Sequence, residues 1–509
     1  MIEQFFGKEF RVILACLAGY FLLAALAFKT PFAGALVAAT AIAAFAVALK
    51  RLEWGIAFAF AELFANSHGH LADLPIGGFV LSTRMAVFFG VMAAYSVHLI
   101  RRRVRLPLSD TRLSPYILLY AVAFAAFLIG IRLNGFGNAF RDGNAYLYAL
   151  YALPVLSAHW DAAGKRLLLQ TLAAGAAWVS ALTLGLVYAF SHLSGLALAD
   201  VYTFIRDTRT GELTQMAPGI FRVFLQAQFS TVVAALLLGS LALSGVKGRR
   251  AWVATVASFA AVSVAILASL SRSFWVGGVA GAFVLILLLA LASRIRLKRA
   301  LPGIAALVGG KLFGVALLAA ALFFPIPPPN GVTFGELAGL FSERATGTAE
   351  AAIDSRRKLL LPMIDGIRER PLSGHGFGHA ITFVSDDPRV RARDPEGIWT
   401  TYAFEWGWLD VWLKTGLAGL AAFVWVFASA ARSLSRGLAG DQAWLHAGLI
   451  ASLAMLAATH AFSPYLNHPL GLGLLLFVLP FMKTKPPVVA TEAAAPVAAQ
   501  ASTAPLMSE

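Results

Sequence analysis

An all-α, polytopic bundle of transmembrane helices is the fold class this sequence predicts, and three observations predict it. Hydrophobic residues fill 59% of the 509 positions and charged residues only 13%, far from the balance of a soluble globular domain. Apolar runs recur from end to end, each close to the roughly 20 residues a helix needs to cross the hydrocarbon of a bilayer. The runs are too long and continuous for barrel strands. Backbone groups in lipid must be satisfied within their own segment, so the spans are helical.

Taken in order, the candidate spans lie near 11–28, 31–49, 53–66, 80–100, 114–132, 145–160, 167–194, 222–245, 251–269, 273–293, 301–324, 411–431, 443–461 and 467–482. That makes about fourteen, the third short enough to be re-entrant. The organisation that follows is an N-terminal bundle over 1–324, a polar loop domain over 325–410, C-terminal helices over 411–485 and a tail over 486–509. The tail is rich in Ala, Pro, Thr and Ser, cannot bury a core and is expected to be disordered.

Basic connectors fix the orientation. Lys50-Arg51, Arg101-Arg102-Arg103, Lys165-Arg166, Lys247 to Arg250, Arg294 to Arg299, Arg432 to Arg436 and Lys483 to Lys485 all fall on one side if every run crosses. Positively charged short loops stay in the cytoplasm, so both termini face inward and the 325–410 loop faces outward. The pattern is that of a multi-pass protein of a bacterial inner membrane. The net charge of +15 is largely spent in these connectors, beside anionic lipid, and does not indicate nucleic-acid binding. Cys16 is alone within a span, which excludes a disulfide framework or a cysteine metal site.

Orientation does not account for the basic residues on the opposite side: Arg206, Arg209, Arg222, Arg272, Arg344 and the cluster in the long loop. An anionic ligand does. Arg222 opens a span within Phe221-Arg222-Val223-Phe224, and Arg272 sits between two spans in Ser271-Arg272-Ser273, with Gln226 and Gln228 close by. A guanidinium is permanently charged and binds two phosphate oxygens in a fork, so two of them at the membrane surface suit a lipid-linked phosphate or diphosphate. The blander alternative is that each only snorkels to the interface or caps a helix.

In the long loop, Arg356, Arg357 and Lys358 begin an amphipathic stretch that runs through Ile367. The Gly374-His375-Gly376-Phe377-Gly378-His379 segment follows and is expected to be a flexible turn. Its glycines lack a preceding strand and a Walker lysine, so it is no nucleotide loop. They also disfavour the helix on which His375 and His379 would chelate a metal, and no metal is expected. Glu405 stands among Trp399, Tyr402, Trp406 and Trp408. A carboxylate in such surroundings is poised as a general base unless an Arg compensates it. The aromatic rings can stack on sugar faces or anchor the chain at the interface. Within spans, Arg84 is placed to pair with Glu62, while Lys311 reads as a buried ion-pair partner.

These residues together resemble the O-antigen ligase and O-antigen polymerase superfamily of bacterial membrane glycosyltransferases. The resemblance rests on many spans, the Phe-Arg-x-Phe around Arg222, Ser271-Arg272 at the head of a later span, and one large loop closing on Gly374, Gly376 and Gly378 before Gly416-Leu417-Ala418-Gly419. It implies a GT-C-like bundle that moves a glycan from an undecaprenyl diphosphate donor to an acceptor hydroxyl on the outer face of the inner membrane. Neither metal nor nucleotide sugar is implied. The family's two diphosphate-binding arginines fall on Arg222 and Arg272, with Arg356 or Arg357 as further candidates. The ligases carry a His followed by Asn, Ser or Gln, separated by ten residues from a Gly-x-x-Gly; here Glu405 and Trp406 occupy those positions. Glu405 is therefore the first candidate base and His375 the second, with Tyr402, Trp406, Gln226 and His379 expected to contact acceptor or glycan. The partners implied are membrane lipid, the undecaprenyl-diphosphate-linked donor, and a glycan, lipid or protein acceptor. Two other readings stand beside this one: a transporter or flippase of a lipid-linked glycan, which needs a charged path reaching both faces, and a non-catalytic binder of that glycan.

Overall fold

The computed structural model describes residues 2–193, 195–291, 297–325, 331, 333–346 and 351–483. The expected tail over 486–509 lies outside them. The chain is a polytopic all-α membrane protein. Among the described residues eleven helices are long and apolar enough to cross a membrane.

In chain order the elements are α1 (Lys8–Ala27), α2 (Phe32–Lys50), α3 (Leu52–Ala65), a hairpin of β1 (Asp73–Ile76) and β2 (Phe79–Ser82), α4 (Thr83–Ile100), α5 (Ser114–Asn134), α6 (Phe136–Gly143), α7 (Ala152–Ser157), α8 (Ala162–His192) and α9 (Leu196–Asp207). A second hairpin, β3 (Glu212–Ala217) with β4 (Ile220–Phe224), leads into α10 (Phe229–Leu243), α11 (Arg249–Ala268), α12 (Arg272–Leu291) and α13 (Leu297–Phe323). The long loop contributes α14 (Phe334–Thr346), α15 (Ala351–Glu369), β5 (Ile381–Val384), α16 (Pro388–Arg391) and β6 (Ile398–Thr401). The chain then returns through α17 (Gly407–Ser435), α18 (Ala443–Phe462) and α19 (Pro469–Phe477).

Three of the fourteen apolar runs do not become long helices. The run at 53–66 is α3, only 14 residues long. That at 145–160 is a 3-10 helix, Asn144–Tyr151, followed by α7, and that at 467–482 is α19 with a short 3-10 continuation. Each still connects the two ends of the bundle. Arg112 donates to the Leu479 carbonyl at 3.1 Å and Ser157 to the Arg105 carbonyl at 2.9 Å, both among the basic connectors. Asn467, at the start of the same run, bonds Asp410 at 2.6 Å at the opposite end.

The three segments pack on one another in the middle of the protein. Phe60, Phe64 and Phe477 meet there with centroids 5.4–5.7 Å apart, and Tyr116 donates to the Leu475 carbonyl at 2.8 Å. Backbone that leaves the α-helix is tolerated at membrane depth only where protein, not lipid, surrounds it. That is why the short and 3-10 segments are inside, in company with the largely buried long helices α10 and α18, while helices such as α1, α2 and α12 face outward. Glu62 and Arg84 form the expected pair in this region: Nε to Oε2 at 2.9 Å and Nη2 to Oε1 at 3.2 Å, both side chains buried. Lys311 departs from expectation. It faces outward from α13 and pairs with no carboxylate among the described residues.

All three hairpins lie in the connections opposite the basic connectors, hereafter the loop end. The middle one corrects the placement of Arg222, which sits within β4 and not at the head of a span. The local cause is Pro218-Gly219, with Gly219 at φ 71°, a turn signal that folds the polar 212–217 segment back on Ile220–Phe224. The span begins only at Gln226.

Candidate functional site

Arg222 and the turn before Arg272 touch directly. Arg222 Nε donates to the Ser269 carbonyl at 2.8 Å, and its guanidinium lies over the Phe224 ring, 4.7 Å from the centroid. Ser269 ends α11, Leu270 takes a positive φ of 46°, and Arg272 opens α12. A turn of three residues thus sets Arg272 at a helix N-terminus, where the exposed amides and the dipole favour anions. Arg206, by contrast, is spoken for locally, pairing with Asp207 at 2.7 Å.

Beside the two arginines is an apolar cleft, lined by Val187, Phe221, Leu270, Leu318, Leu337 and Phe341 among others. Phe221 immediately precedes Arg222, and Leu270 lies two residues before Arg272. The amphipathic α14 contributes Leu337 and Phe341, and Trp275 of α12 stacks on Phe341 at 6.4 Å. The backbone that carries both arginines therefore borders a narrow apolar cleft.

The end of α18 joins this corner to Glu405. Ser463 donates to Ser273 at 3.1 Å. Phe462 packs against Trp406 at 6.0 Å. Gly407 fits so tightly under His460 that a Cβ would stand 2.1 Å from the His460 carbonyl, which explains a glycine at the first position of α17. Tyr465 stacks on Phe229 at 4.8 Å, beside Gln226. The Oε1 of Gln226 is buried without a hydrogen-bond partner among the described residues, as is Nε2 of His460.

Glu405 is not desolvated. Its side chain is 52% exposed and forms an ion pair with Arg356 Nε, so a compensating Arg is present. The pair borders a cavity of about 370 Å³ between α15 and the β5–β6 hairpin, into which Phe383, Trp399 and Thr401 also face. The hairpin alternates as a strand must: Ile381, Phe383 and Thr401 lie inward, while Thr382, Val384, Ile398 and Thr400 are exposed. Trp406 donates its indole N–H to the Arg356 carbonyl at 3.0 Å, so the residue after Glu405 clamps the residue that pairs with Glu405. Arg357 is exposed, and Tyr402 enters the site through its carbonyl.

The glycine-rich segment is a clamp, not a flexible turn. Gly374, Gly376 and Gly378 all have positive φ, 67°, 78° and 79°. A Cβ on them would stand 2.5 Å from the Lys414 carbonyl, 2.3 Å from the Gly130 amide and 2.6 Å from the Asn138 backbone. The segment threads between α5 and α17. His375 N–H donates to the Leu413 carbonyl at 2.9 Å, Gly376 N–H to the Lys414 carbonyl at 3.0 Å, and Asn134 donates to the carbonyls of His375 and Phe377. α17 breaks to receive it: Gly416 has φ 68° and Leu417 N–H turns out to the Pro371 carbonyl at 3.0 Å. His375 is buried with Nε2 on the Gly366 carbonyl at 2.8 Å. His379 stacks on it at 4.1 Å. Burial pushes the His379 imidazole down to about 4, helped by the charges of His375, Lys414 and Arg370.

One group of residues was not singled out by sequence reasoning. Lys414, 2% exposed, holds Asp142 and Asp410 at 2.7 Å each and donates to the Tyr402 carbonyl at 2.8 Å. Its ammonium lies 5.1 Å from the Phe404 ring centroid. Asp142 also accepts from Gly378 N–H at 2.7 Å, and Asp410 accepts from Asn467. Charges this deep persist only when paired; Asp410 Oδ1 has the Lys414 ammonium as its ion-pair partner but no well-aligned hydrogen bond among the described residues. The spacing of Asp410 and Lys414 by one helical turn was a local signal for their half of the group.

The arrangement therefore sets two arginine-bearing segments beside an apolar cleft, and a carboxylate in a polar, aromatic cavity linked to them through the end of α18. No curated protein matches the chain. Residues 256–424, from within α11 through the long loop to the broken helix α17, match the family model described as O-antigen ligase. Arg272, Glu405, His375, Gly416 and Gly419 all fall inside that match, Arg222 outside it. That match supports a place in the O-antigen ligase and polymerase superfamily for the part of the chain it covers.

Proposed function

We propose that the chain is a lipid-linked oligosaccharide glycosyltransferase of a bacterial inner membrane, working at the periplasmic face on an undecaprenyl diphosphate donor without metal or nucleotide sugar. The observation that carries the reading is the juxtaposition of Arg222 and the Arg272 helix start with the apolar cleft behind Phe221 and Leu270. A charged diphosphate head on a polyprenyl tail needs that combination. The family match supports glycan transfer as the reaction.

In the reaction, an acceptor hydroxyl oxygen attacks the anomeric carbon of the donor glycan. Its proton goes to the Glu405 carboxylate, which is open enough to return it to solvent. The bond from the anomeric carbon to the diphosphate oxygen breaks, and the electron pair leaves on undecaprenyl diphosphate. Arg222 and Arg272 neutralise the charge that develops there, in fixed positions that need no reorganisation at that moment. Glu405 is preferred over His375 because the His375 ring is buried and its Nε2 is taken by the Gly366 carbonyl.

Lysine supplies a point charge but not the fork. Arg222→Lys and Arg272→Lys are therefore expected to abolish turnover of purified donor, with thermal stability retained. Normal turnover by either variant contradicts a diphosphate role for that residue.

A further inference from the structure

The cavity beside Glu405 has features that a bare general-base site does not need. Of the indoles in this segment, those of Trp406, Trp408 and Trp412 each donate to a backbone carbonyl at 2.9–3.0 Å. The Trp399 indole faces the cavity, is 37% exposed and makes no hydrogen bond among the described residues. It sits directly opposite Phe383 in the hairpin register, and the two side chains line one wall of the cavity.

The charges sort in the same way. Asp386 takes both Lys358 and Arg391, each at 2.6 Å. Arg356 takes Glu405. Arg393, which also lines the cavity, has no carboxylate on it among the described residues. The wall, the Arg393 guanidinium and the Thr401 hydroxyl, together with Asp387 and the Arg356–Glu405 pair, surround about 370 Å³, at the small end of the roughly 300–1,000 Å³ range of small-molecule sites. That is room for one or two sugar rings.

We propose that this cavity is the acceptor subsite and that it takes a pyranose bearing a carboxylate, stacked on Trp399 with its acid group on Arg393. The inference rests on the glycosyltransferase reading, which puts the reactive acceptor hydroxyl at Glu405. The apolar C–H face of a pyranose lies flat on an aromatic ring. Its carboxylate takes two parallel N–H bonds from a guanidinium, stronger than bonds between neutral groups. Glu405 on the same cavity receives a ring hydroxyl, so the sugar that is recognised is the sugar that reacts.

The test is equilibrium binding to the full-length protein in nanodiscs of matched disaccharide pairs, uronate against neutral hexose, in the gluco, galacto and manno configurations. At least one uronate is expected to bind about tenfold more tightly than its neutral partner, the size expected of one charge-assisted contact. Arg393→Gln should remove that preference and Trp399→Ala should weaken both members of the pair. Arg393 is exposed, so its variant should fold as the parent does. Absence of a uronate preference across all three configurations, or its survival in Arg393→Gln, overturns the proposal. Arg222→Lys serves as the separating control, since it should stop donor turnover and leave the uronate preference intact. Donor turnover without a uronate preference refutes the subsite and leaves the transferase reading standing. A preference that disappears with Arg393 and is accompanied by no turnover of any donor supports the subsite and counts against the transfer step.

Discussion

Lys414 and Asp142, 272 positions apart in sequence, meet at 2.7 Å in the buried heart of the loop end. The contact ties α17 to the end of α6. Through the Tyr402 carbonyl it also fixes the approach to Glu405.

Breaking that contact from one side should be expensive. Lys414→Met leaves Asp142 and Asp410 as unpaired buried carboxylates, a change worth about 3–5 kcal/mol of stability. A lowered unfolding temperature in detergent is the expected result. Replacing all three residues by apolar ones of similar volume should recover most of the loss. A single Lys414→Met variant as stable as the parent contradicts the role assigned to the group.

The glycine clamp makes a sharper contrast between two alanine substitutions. Gly376→Ala places a Cβ 2.3 Å from the Gly130 amide at a φ of 78° and should cost about 2 kcal/mol or more, strain and overpacking combined. Gly335→Ala in α14 meets nothing within 4 Å and should stabilise slightly, by up to about 1 kcal/mol. Equal effects of the two on thermal unfolding would count against a rigid segment.

Acid should loosen the loop end. His379 and His68 both have imidazoles pushed down to about 4, in each case chiefly by burial. In the unfolded chain they titrate near 6.5. Between those values the unfolded state binds more protons than the folded one, so their contribution to stability is complete above pH 6.5 and is lost as pH falls toward 4. The unfolding temperature should therefore drop from pH 7 to pH 5, and His379→Gln should flatten the drop. A variant with an unchanged pH slope would remove His379 from the explanation.

Much of the bundle was legible because hydrophobicity is summed over whole spans: eleven long helices stand where apolar runs of bilayer length are found. The three exceptions show what such a sum omits. A run wrapped in protein needs neither 20 residues nor α geometry, and composition does not distinguish it from one facing lipid. Arg222 and Arg272 stood out locally because orientation left them unexplained. The partners of Glu405 did not, since the pairing with Arg356 bridges 49 positions and depends on how α15 lies across α17. Gly374, Gly376 and Gly378 were visible as a motif but misjudged as flexible. Only the neighbouring backbones of Gly130, Asn138 and Lys414 turn them into a clamp.

The most direct measurement of the central claim is release of undecaprenyl diphosphate by the purified, reconstituted protein, given an undecaprenyl-diphosphate-linked oligosaccharide and a panel of acceptors in the presence of EDTA. The expected result is release that requires an acceptor, persists in EDTA and disappears in Glu405→Gln while donor binding remains. Donor binding without release across the whole panel would contradict glycosyl transfer and favour a protein that carries or holds the lipid-linked glycan.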